Sequence, residues 1–140
     1  MPDMTEELKK NAIEVLIVED DVFLRKILAT KFGKEGFLVR SAADGAEALA
    51  LMREKAPAIL LLDLILPKSS GFEVLTEMRT DARLKDIPVI VLSNLNQEED
   101  KERALKLGAL AFLTKADFSL NQVVTQVKEE YAKLTRTRSQ

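Results

Sequence analysis

The sequence predicts an α/β domain built on a parallel sheet with helices on both faces, and three observations lead to that class. Four apolar runs of strand length, Val15-Leu16-Ile17-Val18, Ala58-Ile59-Leu60-Leu61-Leu62, Val89-Ile90-Val91-Leu92 and Leu110-Ala111-Phe112-Leu113, lack the in-out alternation of a half-exposed strand. Each therefore belongs in a sheet covered on both sides. Stretches of helical periodicity separate them, and the order strand then helix recurs five times with short connections, the pattern of a parallel α/β sheet.

The first run is followed by Leu24, Ile27, Leu28 and Phe32, at i, i+3, i+4 and i+8 of a helix that should stop at Gly33. A weaker strand, Phe37-Leu38-Val39-Arg40-Ser41, carries one charge and suits an edge of the sheet. Asp44 with Glu47 forms a capping box ahead of the stripe Ala46-Leu49-Ala50. After the second apolar run, Ser70 with Glu73 opens a helix carrying Phe72, Leu75 and Met78. After the third, Asn96 with Glu99 is the expected box for a helix bearing Ala104 and Leu107 and ending at Gly108. The last helix presents Leu120, Val123, Val124, Val127, Tyr131 and Leu134 on one side. Residues 1–12 form a polar N-terminal extension, 13–135 the folded domain and 136–140 a C-terminal tail; the two polar ends are tails or extensions of neighbouring helices.

At 140 residues with 46% hydrophobic and 31% charged, the chain fits a single globular domain. A chain of this length buries roughly two-thirds of its unfolded surface, enough for a core without staples. It has no Cys, which removes disulfides, thiolate nucleophiles and Cys-type metal sites. It also has no His, which removes the commonest general base and the commonest transition-metal ligand, and with them Ser-His-Asp hydrolases and His-ligated zinc enzymes. A formal net charge of −2 offers no general attraction to nucleic acid or anionic membrane. No run approaches the roughly 18 apolar residues of a membrane span, and the acidic start, Met1 to Glu7, is unlike a secretory signal. The expected location is cytoplasmic.

In an open parallel sheet, ligands bind beyond the carboxyl ends of the strands, where the strand order reverses. At those ends the sequence places Glu19-Asp20-Asp21, Asp63, Ser93 and Lys115. If Glu19, Asp20 and Asp63 converge with Lys115, the corner sums to about −2 and a divalent cation would balance it. Hard oxygen ligands in small number suit Mg²⁺ retaining several waters. No Gly-rich nucleotide loop is present. A phosphoryl group would then go to a side chain, and a carboxylate is a known acceptor. Asp63, closing the most apolar strand, is the candidate acceptor, with Glu19 and Asp20 holding the metal. Lys115 supplies a point charge and Ser93 a donor to the equatorial oxygens. Asp21 also suits a simple helix cap.

These residues, with Leu64-Ile65-Leu66-Pro67 and Gly71 after Asp63 and Ala111-Phe112-Leu113-Thr114 before Lys115, resemble the receiver domain of two-component response regulators, of the single-domain CheY-like kind, from about Ile13 to Leu134. The resemblance implies a flavodoxin-like five-stranded sheet of order 2-1-3-4-5 with five helices. It implies phosphorylation at Asp63, Mg²⁺ held by Glu19, Asp20, Asp63 and the backbone carbonyl of Ile65, Ser93 and Lys115 as phosphoryl contacts, and Phe112 as the aromatic that rotates inward on activation. It further implies that apolar Ile65 and Leu95 slow attack by water on the phosphoaspartate. Two positions depart from the family pattern: Ala116 stands where proline usually follows the lysine, and Phe112 where many members have tyrosine.

The expected function is a stand-alone phosphorylation switch, not an enzyme in its own right. It would take its phosphoryl group from a sensor histidine kinase or phosphotransfer protein and present an altered face of the fourth helix, fifth strand and fifth helix to a downstream protein. No nucleic-acid or membrane partner is expected. The alternative is a constitutive interaction module of the same fold whose Asp63 is never phosphorylated. A phosphohydrolase with an aspartyl intermediate fails for want of an Asp-x-Asp after the first strand.

Overall fold

The structure is a computed structural model that describes residues 12–139, with side chains described to residue 136. The N-terminal extension expected over residues 1–12 lies, up to residue 11, outside the described residues. Every apolar run becomes a strand. The elements are β1 (Glu14–Val18), α1 (Val22–Lys34), β2 (Leu38–Ala42), α2 (Gly45–Glu54), β3 (Ile59–Leu62), α3 (Gly71–Thr80), β4 (Val89–Ser93), α4 (Glu98–Lys106), β5 (Ala111–Thr114) and α5 (Leu120–Ser139), with a 3-10 turn at Lys115–Asp117. The five strands pair in parallel in the order β2-β1-β3-β4-β5.

The missing alternation has a direct cause. Leu16, Val18, Leu60, Leu62, Val89 and Val91 point into one core, against Ala48, Leu49 and Met52 of α2, Phe72, Leu75 and Met78 of α3, and Ala104 of α4. Val15, Ile17, Ile59, Leu61, Ile90 and Leu92 point into a second core on the other face, against Leu28 and Phe32 of α1 and Val123, Val124 and Val127 of α5. With a core on each side, both sets of alternating positions must be apolar. In the second core Phe32 meets Phe37 edge-on, ring centroids 5.0 Å apart, a favoured aromatic geometry.

β2 is an edge strand, and its one charge is useful there. Arg40 pairs with Glu14 at 2.6 Å on the adjoining strand and donates to the carbonyls of Leu51 and Lys55 at the end of α2, where a helix presents negative dipole charge.

Several local expectations change. The first helix runs past Gly33 to Lys34, and the left-handed residue after it is Gly36 (φ 92°); Gly108 (φ 96°) does close α4. Gly33 has ordinary helical geometry because the chain reverses only after one more half-turn. The Asp44 and Ser70 caps form, accepting from the amides of Glu47 and Glu73. The Asn96–Glu99 box does not: α4 begins one residue later, after Gln97, without a side-chain cap. The buried face of α2 is Gly45, Ala48, Leu49 and Met52, so Ala46 and Ala50 face solvent. Alanine weighs too little to set a stripe against leucine and methionine. Ile27 is 45% exposed. At the C-terminus, α5 continues through residues 136–139, which extend that helix. No helix among the described residues is long and apolar enough to cross a membrane.

Candidate functional site

Because β1 pairs with both β2 and β3, the chain leaves β1 and β3 toward opposite faces, and a crevice opens beyond their carboxyl ends. The strands deliver the candidate residues there. Glu19 and Asp20 follow β1, and the Glu19 amide is tied to the Ala42 carbonyl of β2. Asp63 follows β3, its amide bonded to the Val18 carbonyl at 3.0 Å, which sets it beside Glu19. Ser93 ends β4, and Lys115 follows β5.

The Asp63 loop folds tightly back over the strand. Gly71 donates its amide to the Leu64 carbonyl at 2.9 Å. A Cβ on Gly71 would stand 2.4 Å from the Asp63 carbonyl oxygen and 2.7 Å from Leu64 Cα, so only glycine permits that approach.

The side chains converge. Lys115 Nζ lies 2.8 Å from Asp63 Oδ2 and 2.6 Å from Glu19 Oε1. The second oxygen of each acid is turned by backbone: Asp63 Oδ1 accepts the Ile65 amide at 3.1 Å and Glu19 Oε2 accepts the Asp21 amide at 3.1 Å. Glu19, Asp20 and Asp63 each offer a carboxylate oxygen within 4.8 Å of the others. Glu19 and Asp63 are buried, whereas Asp20 is open to solvent. Lys115 threads to them past Leu24, Leu92, Phe118, Leu120 and Val123, which line a small cavity beside it, so its stem lies against apolar side chains while the ammonium meets the acids.

Burial raises the Glu19 carboxyl above its ordinary range, against the lowering effect of the hydrogen bond from Lys115 and despite help from the Asp21 amide. For Lys115, burial works to lower the pKa, but the hydrogen bonds to Asp63 and Glu19 outweigh it and the net shift is upward. The lysine therefore stays cationic across the physiological range.

Ser93 is fully buried, and its Oγ accepts the Leu95 amide at 3.4 Å. Phe112 is half-buried, packed on the core shared by α2, α3 and α4. Ile65 is exposed and Leu95 half-buried. Asp21 is the N-cap of α1, accepting the Leu24 amide at 3.0 Å. The Lys115–Asp117 turn carries Ala116 without a cis bond, and none occurs among the described residues. Sequence reasoning passed over Arg25, whose guanidinium donates to the Glu19 carbonyl; a cation in the first turn of a helix, against the dipole, was the available signal.

Three hard carboxylate oxygens, a corner charge near −2 and no nitrogen or sulfur donor suit Mg²⁺ and fit poorly with a softer metal. Glu19, Asp20 and Asp63 are the residues that could hold it.

The family model for the response regulator receiver domain matches residues 15–128. Among curated relatives, the DNA-binding dual master transcriptional regulator RpaA of Synechocystis is 36% identical over 114 residues, covering 81% of this chain and 47% of RpaA. The phosphate regulon transcriptional regulatory protein PhoB of Escherichia coli is 32% identical over 117 residues, covering 84% of this chain and 51% of PhoB. The chain thus spans about half the length of these relatives. Among solved structures, a Francisella response regulator receiver domain superposes with a TM-score of 0.79 at 31% identity, covering 87% of this chain and 98% of that one. The chemotaxis response regulator CheY4 of Vibrio cholerae gives 0.79 at 26% identity, covering 86% and 99%.

Proposed function

The chain belongs to the response regulator receiver domain family, and from that membership we propose that it is a phosphorylation switch whose acceptor is Asp63. The carrying observation is the Lys115 ammonium, 2.8 Å from one Asp63 oxygen and 2.6 Å from Glu19. A solvated or merely capping aspartate would have no use for a half-buried cation shared with a second acid.

Transfer from a phosphohistidine is a balanced exchange. An Asp63 carboxylate oxygen attacks phosphorus, the new O–P bond forms as the P–N bond breaks, and the freed imidazole nitrogen keeps the electron pair until it takes a proton. Glu19, Asp20 and Asp63 would hold Mg²⁺, with the Ile65 carbonyl as a further oxygen. When bound, the metal neutralises charge on the phosphoryl oxygens. Lys115 would pair with a second oxygen of the group carried by Asp63, exchanging one carboxylate contact for a phosphoryl contact. Ser93, turned toward a third, would leave the Leu95 amide, and the volume it vacates is available to Phe112.

The donor in this reading is a sensor histidine kinase or phosphotransfer protein. The reader is a downstream protein on the α4–β5–α5 face, where Leu105 and Leu110 are exposed; the chain's net charge of −2 offers nucleic acid no general attraction. DNA binding is said of RpaA, the longer protein. The cytoplasm suits such a switch. Transfer and hydrolysis are promoted by the protein's own site, with no separate substrate turned over. Against the constitutive-module reading, Lys115 reaches Asp63 although Ala116 replaces the usual proline.

The test is incubation with Mg²⁺ and acetyl phosphate followed by intact-mass measurement. One phosphoryl adduct is expected in the parent and none in Asp63→Asn. An unmodified parent, or an adduct that persists in Asp63→Asn, overturns the proposal.

A further inference from the structure

Behind the acidic corner stands a residue that none of the roles above uses. Arg25, half-buried in the first turn of α1, donates from Nη1 to the Glu19 carbonyl at 2.8 Å and, at 3.5 Å, to that of Asp20. Its place in the helix is adverse. A cation in the first turn opposes the helix dipole, and the acid that offsets it, Asp21, stands at the N-cap with its carboxylate on the Leu24 amide.

The contact compensates for a backbone problem. Glu19 lies one residue beyond the β1 ladder and is 2% exposed. No backbone amide among the described residues serves its carbonyl there, so Arg25 is the donor that the structure provides; without it a buried acceptor goes unpaired. The same turn is fastened by the Asp21 amide on Glu19 Oε2 at 3.1 Å and by the Arg25 amide on the Asp21 carbonyl at 2.9 Å. Among the described residues, Arg25 is thus the side-chain cation that donates to the peptide planes from which the Glu19 and Asp20 side chains branch.

We propose that Arg25 is a positioning residue for Mg²⁺ binding: by gripping the carbonyls of Glu19 and Asp20, its guanidinium aims both carboxylates toward Asp63. The inference rests on Glu19 and Asp20 being the metal ligands. Geometry and charge make opposite predictions. If the guanidinium acted only as a charge, it would repel a dication, and its removal would tighten Mg²⁺ binding. If it orients the ligands, its removal weakens binding.

The experiment is an amide-resonance NMR titration of the full chain with Mg²⁺ alone, following Asp21 and Ile65, with urea midpoints to establish that each variant is folded. Arg25→Met should weaken Mg²⁺ about tenfold, the low end for losing a partner that orients a metal ligand. Arg25→Lys keeps the charge but not the fork, and should fall between, about threefold weaker. With acetyl phosphate as donor, the Mg²⁺ concentration giving half the maximal rate should rise in parallel. The rate at saturating Mg²⁺ should stay within about twofold, a split that general destabilisation does not produce. A folded Arg25→Met that binds Mg²⁺ as tightly as the parent, or more tightly, overturns the assignment; should Arg25→Met not fold, Arg25→Lys equal to the parent does the same. A parent that binds Mg²⁺ but never gains a phosphoryl group overturns the proposed function alone, and a parent that binds no Mg²⁺ overturns both.

Discussion

Replacing Asp63 by Asn should make the metal-free protein more stable even though it removes the phosphoacceptor. Without metal, the corner holds three carboxylates within 4.8 Å of one another around one ammonium. At an effective dielectric constant of about 20, two unit charges 4.8 Å apart repel by about 3.5 kcal/mol, so Asp63 carries about 7 kcal/mol of repulsion against Glu19 and Asp20. Its pairing with Lys115 at 2.8 Å is worth about 6 kcal/mol of attraction on the same scale. The two nearly cancel, which leaves the desolvation of a carboxylate only 4% exposed as a net penalty. Asn preserves the shape and can still accept the Ile65 amide. Lys115 keeps its 2.6 Å pair with Glu19, so no cation is stranded. The expected gain is about 1–2 kcal/mol, or about 3–6 °C in Tm for a chain of this size. Urea unfolding followed by circular dichroism, in EDTA and in Mg²⁺, measures it. Mg²⁺ at about ten times its Kd should stabilise the parent by about 1.4 kcal/mol and the variant by clearly less. An Asn variant less stable than the parent in EDTA, or one that responds equally to Mg²⁺, would refute the reasoning.

Ser93→Ala should still accept a phosphoryl group at Asp63, but the phosphorylation-dependent shift of the Phe112 ring resonances should largely vanish; a full shift in the variant separates Phe112 from Ser93. Replacing exposed Ile65 with Glu should speed loss of the phosphoryl group by about tenfold, below the usual contribution of a well-placed general base, as read from decay of the intact-mass adduct; an unchanged lifetime removes Ile65 from control of water attack. Asp81 is held down to about 2 from an ordinary 3.8, first by the side-chain hydrogen bond from Arg83, then by the Arg83 amide and by Arg53. A depressed carboxyl stabilises the fold above its unfolded value and loses that contribution as pH falls through the folded one. Asp81→Asn should therefore lower stability at neutral pH and flatten the decline between about pH 4 and pH 2; urea midpoints that fall over that window as steeply as in the parent would contradict this.

Periodicity and burial made most of the fold legible in the sequence. A strand with a core on each face has to be apolar at every position, so residues 59–62 and 89–92 announced a covered parallel sheet without any partner being known. The same logic exposed the acids, because Asp63 ending such a strand is out of keeping with its surroundings. Weak local signals failed where two choices differ by little: Gly33 against Gly36 as the helix stop, Asn96 against Gln97 as a cap, and alanines as markers of a buried face.

By itself, then, the sequence determined the alternation of elements and the kinds of candidate group at the strand ends: the acids, the Ser93 hydroxyl and the Lys115 amine, in a chain with neither thiol nor imidazole. Only the tertiary structure decided that Lys115 bridges Glu19 and Asp63 rather than facing water, that Asp20 is the exposed acid of the three, and that Arg25 takes the Glu19 carbonyl. The reason is physical. Periodicity is local and survives in the one-dimensional string, whereas a contact across 96 residues between positions 19 and 115 depends on how parallel crossovers stack the strand ends, and a backbone carbonyl left without a ladder partner leaves no mark on residue identity.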